Sequence, residues 1–153
     1  MRLQLCTWPE AEAYLKRSTG IIMPLGSTEQ HGPNGFIGTD ALCPELIAGA
    51  MAETLDVMIA PTINVGMAQH HLGFPGSMAL RPTTLIAVIK DMVKSLVLHG
   101  FDRFFLLTVM AATRRPCTRR LPKFMPKKVS VIAAETSPGC AASCTTGGKS
   151  KAC

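Results

Sequence analysis

Up to residue 108 the sequence alternates short apolar runs with longer segments of helical periodicity. Apolar residues recur every three or four positions over residues 40–55 and again after Pro82, which predicts two amphipathic helices. A short helix is predicted over Trp8–Lys16, and strands are predicted at Gly20–Leu25, Val57–Ala60 and Arg103–Leu107. Because strands and helices alternate, the sequence predicts an α/β fold with a largely parallel sheet flanked by helices.

The first predicted strand ends in a Gly- and Pro-rich loop that carries three candidate metal ligands. Glu29 and His31 are separated by one residue, Gln30. In an extended conformation their side chains therefore leave the backbone on the same face. Asp40 stands at the start of the following helix, where a carboxylate also caps free amides and meets the helix dipole. Each residue alone has a structural explanation, as a polar loop residue, a turn histidine or a helix cap. Together, beyond the carboxyl end of a strand, they favour an oxygen and nitrogen site suited to zinc or manganese.

Two further histidines lie in a glycine-rich loop over residues 66–76. One of them, His70 or His71, could orient a substrate or move a proton near neutral pH, for which imidazole is suited. A structural role in a hydrogen-bonded loop is an equally good interpretation of His71 and a better one of His70. His99, just before Gly100, fits a helix carboxyl terminus, where a cation is favourable, and is assigned no function.

The motifs resemble the creatininase (creatinine amidohydrolase) family over roughly residues 15 to 107. The resemblance is carried by Gly-Ser-Thr-Glu-Gln-His-Gly-Pro at residues 26–33, Gly-Thr-Asp at 38–40 and Phe-Pro-Gly-Ser at 74–77. It implies a creatininase-like α/β fold, assembly into homo-oligomers and a dinuclear zinc or manganese centre. It also implies hydrolysis of the C–N bond of a cyclic or linear amide, a small-molecule substrate.

The resemblance assigns roles to individual residues. Glu29 and His31 resemble ligands to different metals, and Asp40 resembles the carboxylate that bridges both. His71 resembles the loop histidine that faces the pocket and is interpreted as catalytic. Asn34 stands where many members have a histidine, a change that leaves the three ligands intact but alters the pocket.

The resemblance breaks off at Thr108. The family continues Asn-Gly-His-Gly-Gly-Asn, whose histidine is another ligand, whereas residues 108–113 read Thr-Val-Met-Ala-Ala-Thr. Restoring one base in the codon of Thr108 allows the family motif to be read from the same bases, which suggests that the remainder is translated out of frame. Residues 1–108 are therefore predicted to be the N-terminal part of a creatininase-like domain, incomplete at its C-terminus. Residues 109–153 are predicted to be a basic, disordered tail, with weak metal retention and little activity in this chain.

Charge divides at the same place. Residues 1–108 hold seven Lys/Arg against nine Asp/Glu, a net charge of −2, and residues 109–153 hold nine against one, a net charge of +8. The alternative function is therefore a non-catalytic protein whose basic tail binds polyanions. This function ranks second, and nucleic acid is disfavoured as a partner, because aromatic stacking residues are scarce in that tail.

The start of the sequence has no apolar run typical of a signal peptide, and the apolar stretch over residues 85–98 is interrupted by charges. These features predict a cytoplasmic protein with no membrane partner.

Overall fold

The computed structural model describes residues 1–109 and the backbone of residues 130–135. Within that part, the helices are α1 (Trp8–Leu15), α2 (Thr39–Leu55) and α3 (Pro82–Leu98). The strands are β1 (Gly20–Leu25), β2 (Met58–Ile59), β3 (Arg103–Thr108) and β4 (Ser130–Glu135), and short 3₁₀ turns cover Leu3–Leu5 and Gln69–His71.

The predicted elements are confirmed, with small differences at their ends. β1 has the predicted bounds, and α3 begins at Pro82, the position where a missing backbone N–H costs nothing. α2 begins one residue before Asp40, and β3 extends one residue further, to Thr108. The strand predicted over residues 57–60 is reduced to the two residues of β2.

All pairings between the strands are parallel, in the order β2-β1-β3-β4. β1 pairs with β3 along its whole length, from Gly20 opposite Arg103 to Leu25 opposite Thr108. Because the strands are parallel, their carboxyl ends meet at one edge of the sheet. The loop that follows Leu25 therefore leaves from the edge where ligands usually bind in α/β folds.

Helices cover both faces of the sheet, as an α/β fold requires. On one face, alternate residues of β1 and β3 pack with α1 and α3 in a buried cluster: Tyr14, Ile21, Met23, Leu25, Leu85, Ile89, Val93, Phe104 and Leu106. On the other face, α2 packs through Ala48 and Ala52 against Ile22, Ile59 and Leu107. The small alanines let α2 lie close to the sheet.

The two longest helices, α2 and α3, have 17 residues each. Apolar residues on one face of α3 are buried. Charged residues interrupt the apolar sequence at Lys90, Asp91 and Lys94, and none of them is buried. In the part of the chain that the structure describes, no helix combines the length and the apolar character needed to cross a bilayer.

The strand β4 lies inside the segment predicted to be a disordered tail. Its backbone pairs with the edge of β3 over six residues, from Ser130 opposite Arg103 to Glu135 opposite Thr108. These six residues form a strand where disorder is expected from the sequence, because a short run of Val, Ile and Ala can satisfy the hydrogen-bonding groups that β3 would otherwise leave unpaired at the sheet edge. The rest of the tail lies outside the described residues, so the boundary at residue 108 and the out-of-frame origin stay predictions.

Candidate metal centre

The loop after β1 is held by one backbone hydrogen bond within itself and by two to other segments. Gly26 N–H donates to the Ile63 carbonyl at 2.9 Å, and Glu29 N–H donates to the Ile37 carbonyl at 2.7 Å. Thr28 accepts from Met78 N–H at 2.9 Å. These bonds bury Glu29 so that only 5% of it is exposed, although it lies in a loop.

Gly26 brings the start of α2 against the end of β1. A Cβ atom at this position would lie 2.0 Å from the Asp40 carbonyl oxygen, a separation that real Cβ atoms do not show. Pro44, inside α2, has no N–H to donate to that carbonyl. The close approach therefore depends on glycine, and it sets Asp40 beside the loop that carries Glu29 and His31.

His31 and Asp40 form the first polar pair of the site. His31 Nδ1 lies 3.0 Å from the Glu29 carbonyl oxygen, which can only accept, so Nδ1 carries the proton. His31 Nε2 then faces Asp40 Oδ1 at 3.2 Å with its lone pair. The side chains are 29% and 14% exposed, so water screens this contact only in part. Two electron-rich atoms at this distance favour a cation between or beside them.

A proton can supply that positive charge. Partial burial alone would lower the pKa of His31, but the hydrogen bond to the Glu29 carbonyl and the charge of Asp40 outweigh it. The pKa of His31 is therefore raised above its ordinary value. Since a metal ion would replace this proton, the same pair of atoms suits a divalent cation.

Glu29 faces a pair of neighbouring histidines, His70 and His71. Its Oε1 lies 3.4 Å from His71 Nε2, and the rings of His70 and His71 have centroids 3.9 Å apart. One ligand atom from each of Glu29, His70 and His71 fits within a set whose members are all less than 4.8 Å apart. His71 is further held by Gln30, whose Nε2 lies 2.9 Å from Nδ1 of the ring.

Two buried polar atoms in this region have no hydrogen-bond partner among the described residues. They are Oε2 of Glu29 and Oγ of Ser27. A buried carboxylate oxygen without a donor costs free energy unless a cation or water satisfies it. The free oxygen of Glu29, like the His31–Asp40 pair, offers atoms of the kind that bind a divalent cation.

The structure thus brings the predicted residues into one neighbourhood but pairs them differently. Alternation along an extended chain grouped Glu29 with His31, whereas the Glu29 side chain contacts His71 and the His31 side chain contacts Asp40. Asp40 is not the N-cap of α2, as one interpretation of the sequence had it. The N-cap is Gly38, and Asp40 lies in the first turn of the helix. His99 is the C-cap of α3, as expected.

Sequence reasoning missed Gln30 and favoured a structural role for His70. Gln30 lies between two candidate ligands, and alternation would turn it away from them. The contact with His71 depends on a loop 41 residues further along the chain, which no local pattern reveals. The signal that could have suggested it is the Gly-rich composition of that loop, which permits it to fold back over β1.

The fold and the cluster define a class, an α/β protein with a histidine and carboxylate site beyond the carboxyl end of its first strand. The family model for creatininase, creatinine amidohydrolase, matches residues 4–110. The chain belongs to the creatininase family.

Individual relatives agree with this assignment. The creatinine amidohydrolase of Pseudomonas putida is 31% identical over 107 residues, which cover 66% of this chain and 41% of that protein. A 3-dehydro-scyllo-inosose hydrolase of Thermotoga maritima is 30% identical over 105 residues, covering 68% of this chain and 34% of that protein. The chain therefore spans well under half the length of these relatives.

The fold is also that of solved creatininases. A crystal structure of creatinine amidohydrolase superposes with a TM-score of 0.77 at 23% identity, covering 88% of this chain and 57% of that one. The matching structures include a manganese form and a Zn–Zn form of creatininase.

Proposed function

We propose that this chain carries the β1 and α2 part of a metal-dependent amidohydrolase site, in which Glu29, His31 and Asp40 hold zinc or manganese. The observation that carries the proposal is the His31 ring, whose Nδ1 is directed at a backbone carbonyl while Nε2 faces Asp40 Oδ1 at 3.2 Å. This arrangement leaves Nε2 free as a ligand and fixes the ring in the orientation that metal-binding histidines need.

Two other observations support the same assignment. Glu29 keeps one buried oxygen without a partner among the described residues, and the relatives from Pseudomonas putida and Thermotoga maritima are both hydrolases. The proposed reaction is hydrolysis of an amide C–N bond in a small-molecule substrate. A bound divalent cation would lower the pKa of a water molecule and favour the negative charge that develops on the carbonyl oxygen.

His71 is proposed as the catalytic residue of the facing loop. Its side chain is 21% exposed, which leaves it accessible to a small molecule while it contacts Glu29. The ring stands next to the candidate ligands without being one of the three. Its proposed role is to donate a hydrogen bond at the reacting group through Nε2, whose contact with Glu29 is long at 3.4 Å.

Activity of the chain itself is expected to be weak. No histidine follows His99 in the sequence, so the further ligand that the family resemblance implies has no counterpart in residues 100–153. Homo-oligomeric assembly and a cytoplasmic location stay predictions.

Metal binding of the purified full chain tests the proposal. Zinc and manganese would be titrated by calorimetry, with bound metal counted by elemental analysis after desalting. We expect at least one site in the unmodified chain and its loss in His31→Ala. His99→Ala is the matched control, since it removes an exposed imidazole at the end of α3. Unchanged binding in His31→Ala, or no binding by the unmodified chain, contradicts the proposal.

The basic segment supports a second candidate function. A net charge of +8 over residues 109–153 favours binding of a polyanion, independently of the metal centre. Deletion of residues 136–153 retains β4 and removes two of the nine basic residues, whereas charge-neutralising substitutions at residues 114, 115, 119 and 120 remove four. If affinity for heparin at fixed salt falls in neither variant, this second function is wrong.

A further inference from the structure

Gln30 has an amide whose orientation is determined by its neighbours. The N–H of Gly32 donates to Oε1 of Gln30 at 2.8 Å. Because a backbone N–H can only donate, the atom facing it must be the amide oxygen. Gly32 has a φ of +75°, a left-handed conformation that favours glycine at this turn. The NH₂ group of Gln30 therefore faces His71.

The amide in turn determines which nitrogen of His71 carries the proton. Gln30 Nε2 lies 2.9 Å from His71 Nδ1, and an amide NH₂ can only donate. Nδ1 must therefore accept with its lone pair, and in the neutral ring the proton lies on Nε2. His31 is held in the opposite tautomer, because its Nδ1 faces a carbonyl oxygen. The two histidines of the site thus have different chemical capacities.

The proton on His71 faces one oxygen of Glu29. Nε2 of His71 lies 3.4 Å from Oε1, long for a hydrogen bond but of the kind that tightens when a site is occupied. The other oxygen, Oε2, is buried and has no partner among the described residues. The carboxylate consequently has one oxygen facing a donor and one available to a cation.

We propose that Gln30 is a positioning residue: it fixes the tautomer of His71, which presents its Nε2–H to Oε1 of Glu29 and leaves Oε2 as the metal-binding oxygen. The last step rests on the proposed metal-binding function, whereas the tautomer does not. Outer hydrogen bonds of this kind orient metal ligands, and their loss typically lowers metal affinity about 10- to 100-fold.

The compact set formed by Glu29, His70 and His71 suggests a different arrangement, with an ion bound directly by both rings. That arrangement requires a lone pair on Nε2 of His71, and hence a proton on Nδ1. Gln30 would have to turn its amide over, which would place its NH₂ against the N–H of Gly32. Two donors would then face each other, so the hydrogen bonds of the loop oppose this site.

Nuclear magnetic resonance of the full chain, with ¹⁵N-labelled imidazole rings, reads the tautomer directly. His71 is assigned by the loss of its signals in His71→Ala. We expect the Nε2–H pattern in the unmodified chain and the Nδ1–H pattern in Gln30→Glu, whose carboxylate accepts from both Gly32 and the ring. Gln69→Glu is the matched control, because Gln69 contacts the Leu80 carbonyl instead. An Nδ1–H pattern in the unmodified chain, or a pattern unchanged in a folded Gln30→Glu, overturns the proposal.

Zinc affinity of a variant that adds no charge distinguishes the proposed role of His71, which orients Glu29, from direct binding of the ion by His71. Gln30→Met keeps the length of the side chain but removes the amide, and folding is checked by the ring signals of His31 and His99. We expect zinc affinity to fall about 10- to 100-fold, with no change in Gln69→Met. Unchanged or higher affinity in Gln30→Met means that His71 binds the ion itself and contradicts the proposal. If the unmodified chain binds no zinc, both the metal-binding function and the assignment of Oε2 fail, while the tautomer measurement still decides the role of Gln30 on His71.

Discussion

Substitution of Gly26 by alanine tests whether the close contact between β1 and α2 assembles the site. The added Cβ would lie 2.0 Å from the Asp40 carbonyl oxygen, and contacts under 3.0 Å essentially do not occur, so the two segments must separate by about 1 Å. Overpacking of this kind costs about 1–3 kcal/mol. Both atoms in conflict belong to the backbone or are attached directly to it, so no side-chain rotation can relieve the contact.

The same displacement reaches the candidate ligands. His31 Nε2 and Asp40 Oδ1 are 3.2 Å apart, and they are carried by the two segments that must separate. Metal sites tolerate ligand displacements of only about 0.2 Å. We therefore expect Gly26→Ala to lower zinc affinity at least about 10-fold, the smaller effect expected when ligand positioning is lost.

Urea unfolding followed by circular dichroism measures the first effect, and zinc titration measures the second. With a denaturant slope of about 2 kcal/mol per molar urea, a loss of about 2 kcal/mol lowers the midpoint by about 1 M. Gly20→Ala is the control in the same strand, because its Cβ would meet only Ser18 Oγ, at an ordinary 3.7 Å. If both variants show the same midpoint and the same zinc affinity as the unmodified chain, the role assigned to Gly26 is wrong.

Three further substitutions separate stability from metal binding. Tyr14→Phe removes the buried hydroxyl that bonds to the Gly20 carbonyl at 2.6 Å and the Met58 N–H at 3.1 Å, so we expect a loss of about 1–3 kcal/mol in urea unfolding with zinc affinity unchanged. Glu29→Gln should abolish zinc binding in calorimetry without lowering the unfolding midpoint of the metal-free chain. The reason is that the carboxylate has a buried oxygen without a partner among the described residues. A lower midpoint would contradict this expectation. Ile89→Ala empties a fully buried position on α3 and should cost about 2–5 kcal/mol in the same unfolding assay, and a loss below 1 kcal/mol would show that the core relaxes around it.

The site is assembled from three segments that are distant along the chain. Glu29 and His31 follow β1, Asp40 belongs to the first turn of α2, and His71 lies in the 3₁₀ turn beyond β2. Each segment lies at the same edge of the sheet because it adjoins the carboxyl end of a strand or the first turn of a helix. The hydrogen bonds of the loops then determine which side chains are in contact. A substitution in one loop can consequently alter the chemistry of a residue in another.

Local patterns in the sequence were sufficient to predict the helices, the first three strands and their parallel arrangement. Apolar periodicity reports which face of an element is buried, and the proline of α3 marks its first turn, so these features can be read within ten or twenty residues. The candidate ligands Glu29, His31 and Asp40 were identified in the same way, from residue types in a loop after a strand. β4 was missed because pairing at a sheet edge depends on a distant partner strand.

The hydrogen bonds among the side chains depended on tertiary structure. Gln30 and His71 are 41 residues apart, and their contact exists because the Gly-rich loop folds over the end of β1. The proton positions on His31 and His71 follow from whether each Nδ1 meets an acceptor or a donor. A sequence names the imidazoles, but only their three-dimensional neighbours decide which nitrogen is free to bind an ion.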